Sequence, residues 1–259
     1  MTRTLVYLYA ILGRPVDLEA SGIGGQRVRW IEDSDLTAAV SDVQADEFEE
    51  EPLNANVRDL AWLGPRAIAH QDVNQRLFEA SEALVPLAFG TVFRDDRRVI
   101  DLLRNESQRL KEQLAHVSGC AEWVVALHQL GQPKVEEAPA VKALKSQIEA
   151  SAPGRAHLLR RQLATLERDE ARRMQAEAAT SLLEALRAIA NEVFQEPLPS
   201  DTVERPLLRA SVLARRGAEY EFIEQVERLR QRWPEPSYRL LLTGPWPPYR
   251  FAGLQRAAV

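Results

Sequence analysis

Between residues 155 and 190 the chain holds to a helical pattern with no proline or glycine to interrupt it. No other stretch restricts the possible folds so strongly. A helix of that length spans on the order of 50 Å at about 1.5 Å per residue. Leu159, Leu163, Leu166, Met174, Ala178, Leu182 and Ile189 recur at near-heptad spacing, with Glu170 as an interruption. Asp169, Arg173 and Glu177, each four residues from the next, mark an exposed face with modest charge pairing. One helix cannot bury such a stripe alone, so part of it must be covered by the helical segment 140–150, across the turn at 151–154, or by a partner.

The elements flanking this hairpin alternate in type. Residues 83–93 read as a strand, with Pro86 placing it at an edge or a strand start. A helix follows over 95–117 and a strand over 122–127. Beyond the hairpin come a strand over 206–215, a helix over 217–232 and a strand over 238–243. The order β-α-β-β-α-β is that of a ferredoxin-like domain, with the helical hairpin inserted between its second and third strands. Upstream, residues 4–12, 26–31 and 36–43 read as strands, the last two joined as a hairpin. The acidic run 45–52 reads as a solvated loop. From residue 56 the period changes, and Leu60, Leu63, Ala67, His70 and Leu77 lie on one helical face. The expected fold is α+β. A small N-terminal α+β domain (1–80) precedes a ferredoxin-like domain (81–243) with a helical insertion at about 132–195, and a Pro/aromatic strap and tail (244–259) closes the chain.

Composition narrows the class of function. The 259 residues are 45% hydrophobic and 27% charged, as in a soluble globular protein. A net charge of −5 argues against broad nucleic-acid binding, which needs a basic face. No apolar run has the ~20 residues of a membrane helix. The run 5–12 lacks a small-residue cleavage site and reads as a strand rather than a signal peptide. With Cys120 the only cysteine, no intrachain disulfide can form, and the expected compartment is the cytoplasm.

The polar residues assemble into no familiar chemistry. Cys120 with His116 or His128 has neither the surroundings of a nucleophile pair nor zinc-ligand spacing, and a buried thiol is the simpler reading. His70, on an apolar helical stripe, reads as a core histidine with a hydrogen-bond partner. The glycines of 22–25 do not form a dinucleotide-binding loop, and a Trp such as Trp123 beside Glu122 normally anchors a core. The sequence therefore assigns no catalytic residue, no cofactor and no metal.

One segment remains: Gly244–Phe251, "GPWPPYRF". Each residue before a proline is pushed from helical angles, and the prolines donate no N–H. In a polyproline II conformation Trp246 and Tyr249 share a face. Trp246, Pro247, Pro248, Tyr249 and Phe251 are thus the candidate site, either an inter-domain strap packed on the protein itself or an aromatic ridge offered to a partner. Self-packing is the favoured reading, under which truncating Trp246 should cost ~3–5 kcal/mol.

These residues also carry a resemblance. "LVYLYAIL", "GIGG", "LTAAVSDV", His70, "VPLAFGTVF", "GCAEWVVAL" and "LTGPWPPYRFAG" appear in order over nearly the whole chain. In this the chain resembles the gas vesicle GvpL/GvpF family. It departs at Ala126, where the family tends to have lysine, and in "RASVLARR", where it often has a tyrosine. The resemblance implies a non-enzymatic role in making gas vesicles, with the small hydrophobic shell protein and other accessory proteins as partners. It also implies association with the vesicle, as assembly factor or minor component. The rival reading from element order alone is a ferredoxin-like module that senses a small ligand.

Overall fold

The structure, a computed structural model, describes residues 3–131, 133–198, 206–233 and 237–252. The chain divides into two compact units. The first comprises the residues through Trp123, Leu213–Gly217 and the chain from Gly244 on. The second comprises Val124–Val212 and Ala218–Thr243.

The first unit is built on β1 (Thr4–Leu12), whose residues from Leu5 on are all buried. A strand buried on both faces needs no polar alternation, which is why its sequence is a continuous apolar run. β2 (Arg29–Asp33) and β3 (Leu36–Gln44) form a hairpin, and β3 pairs antiparallel with β1. The hairpin turns through only Ser34 and Asp35, with Ser34 at φ 54°. The register of β1 shifts between Leu8 and Ala10, a bulge.

The acidic run is not a loop. It forms α1 (Ala45–Phe48) and α2 (Glu50–Asn56), because Ala45 and Phe48 have a core to enter. The Phe48 ring meets Tyr7 edge-on at a centroid distance of 5.7 Å. α3 (Leu60–Ala80) begins at an Asp59 cap whose carboxylate accepts the Ala61 N–H. It buries His70, Val73, Asn74, Leu77 and Phe78, whereas Leu60, expected inside, is 80% exposed. The helix presents its C-terminal half to the sheet, and in its first turn Trp62 rather than Leu60 turns inward, its ring 5.3 Å from that of Phe48.

The segment expected as one strand over 83–93 forms two short ones, β4 (Val85–Pro86) and β5 (Val92–Phe93). Both pair with β1 rather than with the strand at 122–127, so this segment does not open a βαββαβ set. Pro86 cannot donate to a ladder, and the chain leaves β1 through 87–91 before returning. Leu87 N–H still reaches Tyr9 O (2.8 Å) and Leu8 N–H reaches Thr91 O (2.9 Å). The helix expected at 95–117 is broken at Glu106 into α4 (Asp96–Asn105) and α5 (Ser107–Val117). Their Val99, Leu103, Leu110, Leu114 and Val117 join Val6, Leu8, Ile11, Ile31 and Val40 of the sheet in one apolar core.

The second sheet has the order β7-β8-β6-β9, formed by β6 (Cys120–Gln129), β7 (Glu192–Gln195), β8 (Leu208–Arg215) and β9 (Tyr238–Trp246). In the second unit α6 (Pro139–Glu149) and α7 (Pro153–Ile189) form the helical hairpin, each opened by a proline in its first turn. Val141 and Ala156 are buried, and Lys145 pairs with Glu167 across the hairpin at 3.2 Å. The C-terminal third of α7 buries Ala178, Leu182 and Leu186 where it meets β7 and α8 (Glu219–Arg230). The α+β class and the long hairpin are therefore as the sequence implies.

Candidate functional site

The Pro/aromatic segment begins inside a strand. β9 continues through Pro245 to Trp246, past the Thr243 end expected from the sequence. β9 is an edge strand, the place where a residue without an N–H is tolerated. Gly244 has φ 136°, and a Cβ there would lie 2.9 Å from the Trp123 ring and 3.0 Å from Glu122 O. Only glycine allows this approach.

Beyond the strand the chain does not hold a polyproline II course to Tyr249. It forms a single helical turn, α9 (Tyr249–Ala252), in which Ala252 N–H donates to Pro248 O at 2.8 Å. Prolines at a helix start lose nothing, since the N–H groups there have no intrahelical acceptor. The turn separates the two aromatics that an extended chain would align: Trp246 is 39% exposed, while Tyr249 points into the first unit. Pro247 and Pro248 are buried. Phe251 packs against the apolar core of the first unit, and Ala252 is part of it. The buried Glu122 carboxylate accepts the Arg250 N–H at 2.7 Å, a charge-assisted bond at the start of α9.

Beneath Tyr249 lies a cluster of buried polar side chains. The Tyr249 hydroxyl is 3.4 Å from His70 Nε2 and donates to Gln71 Oε1 at 3.3 Å. His70 Nε2 also lies 3.0 Å from Asn74 Nδ2, and its Nδ1 lies 2.9 Å from the Tyr7 hydroxyl. That hydroxyl accepts the Gly90 N–H (3.0 Å). Next to it, the Tyr9 hydroxyl accepts the Ile23 N–H (2.9 Å) and pairs with Ser41 Oγ (2.8 Å). The rings of Tyr7, Tyr9, Phe89 and His70 pack on one another at centroid distances of 4.9–6.1 Å.

Burial holds the whole cluster neutral. It lowers His70 to about 4, against a smaller opposing effect from a hydrogen bond to the Leu87 backbone. It raises Tyr7, Tyr9 and Tyr249, with hydrogen bonds from Gly90, Ser41 and Asn74 respectively offsetting part of the rise. A neutral imidazole with partners at both nitrogens and 5% exposure positions its neighbours rather than shuttling protons. It ties together β1, the 87–91 segment, α3 and α9.

His70 was legible as a core histidine from its helical stripe. Of its surroundings Tyr249 is singled out by the sequence but Tyr7, Tyr9 and Asn74 are not, although the signals exist. Tyr7 and Tyr9 alternate on one strand face, and Asn74 follows His70 by one helical turn. Cys120 is buried, and burial pushes its thiol up, away from the thiolate form. Among the described residues no three His, Cys, Asp or Glu side chains gather as a metal site, and no helix is long and apolar enough to cross a membrane.

An α+β body with antiparallel pairing and a long helical hairpin, closed by a cis-proline strand end and a helical turn, is a fold with solved relatives. GvpF from an Anabaena species superposes with a TM-score of 0.76, covering 97% of this chain and 99% of that one at 20% identity. GvpF from Microcystis aeruginosa gives 0.69, covering 96% and 98% at 21% identity. In sequence, gas vesicle protein L of a Streptomyces species is 34% identical over 98% of this chain and 94% of its own length. Gas vesicle protein L of Haloferax mediterranei is 24% identical over 92% of this chain and 74% of its own. Residues 5–253 match the family described as gas vesicle synthesis protein GvpL/GvpF, and the chain belongs to that family.

Proposed function

We propose that the protein is a non-enzymatic assembly factor that binds the small hydrophobic shell protein, together with other gas vesicle accessory proteins, and remains as a minor component of the shell. The observation carrying this reading is the family match over residues 5–253. Its work is done in the cytoplasm and on the growing vesicle. A very apolar subunit needs a soluble partner before it polymerises, since its exposed edges and patches otherwise self-associate.

Within this reading the Pro/aromatic segment has two parts. Tyr249 and Phe251 are the anchor, held by His70, Gln71 and the apolar core of the first unit. Pro247 and Pro248 set the turn, and Trp246, 39% exposed, is the contact offered to the partner. A large, stiff aromatic beside prolines binds with little loss of conformational freedom.

The test is co-expression with the tagged shell protein followed by pull-down. Enrichment over an unrelated soluble control supports the reading, and equal recovery sinks it. Trp246→Ala should lower recovery while leaving the circular dichroism spectrum unchanged. Full recovery with that variant removes Trp246 from the contact.

A further inference from the structure

Residues 139–173, α6 and the first half of α7, carry eight basic and four acidic side chains in a chain of net charge −5. Lys145 is paired with Glu167, and Arg173 with Glu170 and Glu177. Lys142, Arg155, Arg160 and Arg161 are exposed and have no side-chain partner among the described residues. Leu158, 60% exposed, lies between them on α7.

The opposite sign is concentrated in residues 32–59, with ten acidic side chains and one basic. Five of the ten are neutralised: Asp33 by Arg104, Asp35 by Lys111, Asp42 by Arg29, Glu47 by Arg66 and Glu49 by Arg3. Glu32, Asp46, Glu50 and Glu51 are exposed, with no side-chain partner among the described residues.

We infer that the α6–α7 tip of one molecule docks on the acidic 46–51 face of a second copy. The two surfaces differ, so each copy both supplies a tip and accepts one, reciprocally in a two-fold dimer or head to tail in a longer assembly. Arginine dominates the basic surface, and its planar fork matches a carboxylate with two parallel hydrogen bonds. Acidic residues interspersed on the same helices, and the negative charge of the whole chain, disfavour a phosphate polymer or an anionic lipid surface. A contact made of exposed charges is weak, and salt screens it, since the Debye length falls from ~10 Å at 0.1 M to ~3 Å at 1 M. This association concerns the isolated protein and stands apart from the role with the shell protein.

Sedimentation velocity on the intact chain reads it directly. At about 50 mM salt the mean mass should rise above the 29.2 kDa monomer with protein concentration, and return to it at about 500 mM. The triple reversals R155E/R160E/R161E and D46K/E50K/E51K should each stay monomeric, with unchanged circular dichroism. Mixed in equal amounts, they should associate again, because each supplies the sign the other lost. A wild-type chain that stays monomeric at low salt overturns the proposal, as does a mixture that fails to associate. Monomeric wild type that instead binds single-stranded DNA or anionic vesicles through the same arginines assigns the tip to polyanions and overturns it equally.

Discussion

The Tyr7 hydroxyl stands 2.9 Å from His70 Nδ1 and accepts the Gly90 N–H at 3.0 Å, so one oxygen ties β1 to α3 and to the irregular 87–91 segment. Gly90 sits at φ 81°, a conformation that bends the segment so its N–H points at the hydroxyl oxygen. Tyr7→Phe keeps the ring and its packing but leaves both partners unpaired in a dry site. The expected loss is about 1–3 kcal/mol in urea unfolding. A change below about 0.5 kcal/mol would show that water replaces the hydroxyl there.

His70 makes stability depend on pH. Its native pKa is lowered from 6.5 to about 4 by burial. Between those values the unfolded chain binds a proton that the native chain refuses. This contribution is therefore complete above the unfolded value of 6.5, shrinks as pH falls, and is gone below about 4. Tyr7, Tyr9 and Tyr249 around the ring are raised, so they stay neutral throughout this window. Between about pH 8 and pH 5 the loss should be roughly 2 kcal/mol. His70→Gln should flatten that part of the profile while lowering stability at neutral pH. An unchanged slope in the variant would place the acid sensitivity elsewhere.

The long hairpin was legible because the helical period on either side and the turn at 151–154 agree. The pairing of 83–93 was not. A short apolar run beside a helix is equally consistent with a neighbour before or after it in the chain, and its ladder partners on β1 lie far away in sequence. The acidic run misled for a related reason. Charge predicts solvation, yet Ala45 and Phe48 sit one helical turn apart and need only one buried side between them. In the Pro/aromatic segment the chemistry of proline ruled out a central strand, but two prolines in succession fit the start of a helical turn as well as an extended ridge. Glu122, His70 and Gln71, far away in sequence, supply the partners that hold the turn.

The two ends of α7 should respond differently to truncation. Leu186 is fully buried, whereas Leu158 is 60% exposed. Leu186→Ala should cost about 2–5 kcal/mol and Leu158→Ala less than about 0.5. Thermal melts of the two variants decide this. Equal losses would mean that the hairpin tip is covered in solution.

Under the self-packing reading of the sequence Trp246 is a buried part of the C-terminal strap, and in the structure it is more exposed than Pro247, Pro248 or Phe251. Trp246 keeps 39% of its surface in solvent, so Trp246→Ala forfeits only part of the ~3–5 kcal/mol of a fully buried tryptophan, about 2. Gly244 has no such slack. An added Cβ would meet the Trp123 ring at 2.9 Å and the Glu122 carbonyl at 3.0 Å, and φ 136° is itself strained for any other residue. The carbonyl is backbone and cannot swing aside, so β9 must shift or Trp123 must leave its buried site. Gly244→Ala should therefore cost roughly 2–4 kcal/mol, more than Trp246→Ala. Urea melts of both variants test the order. If the tryptophan variant is the weaker protein, Trp246 holds the segment down and is not its partner-facing tip.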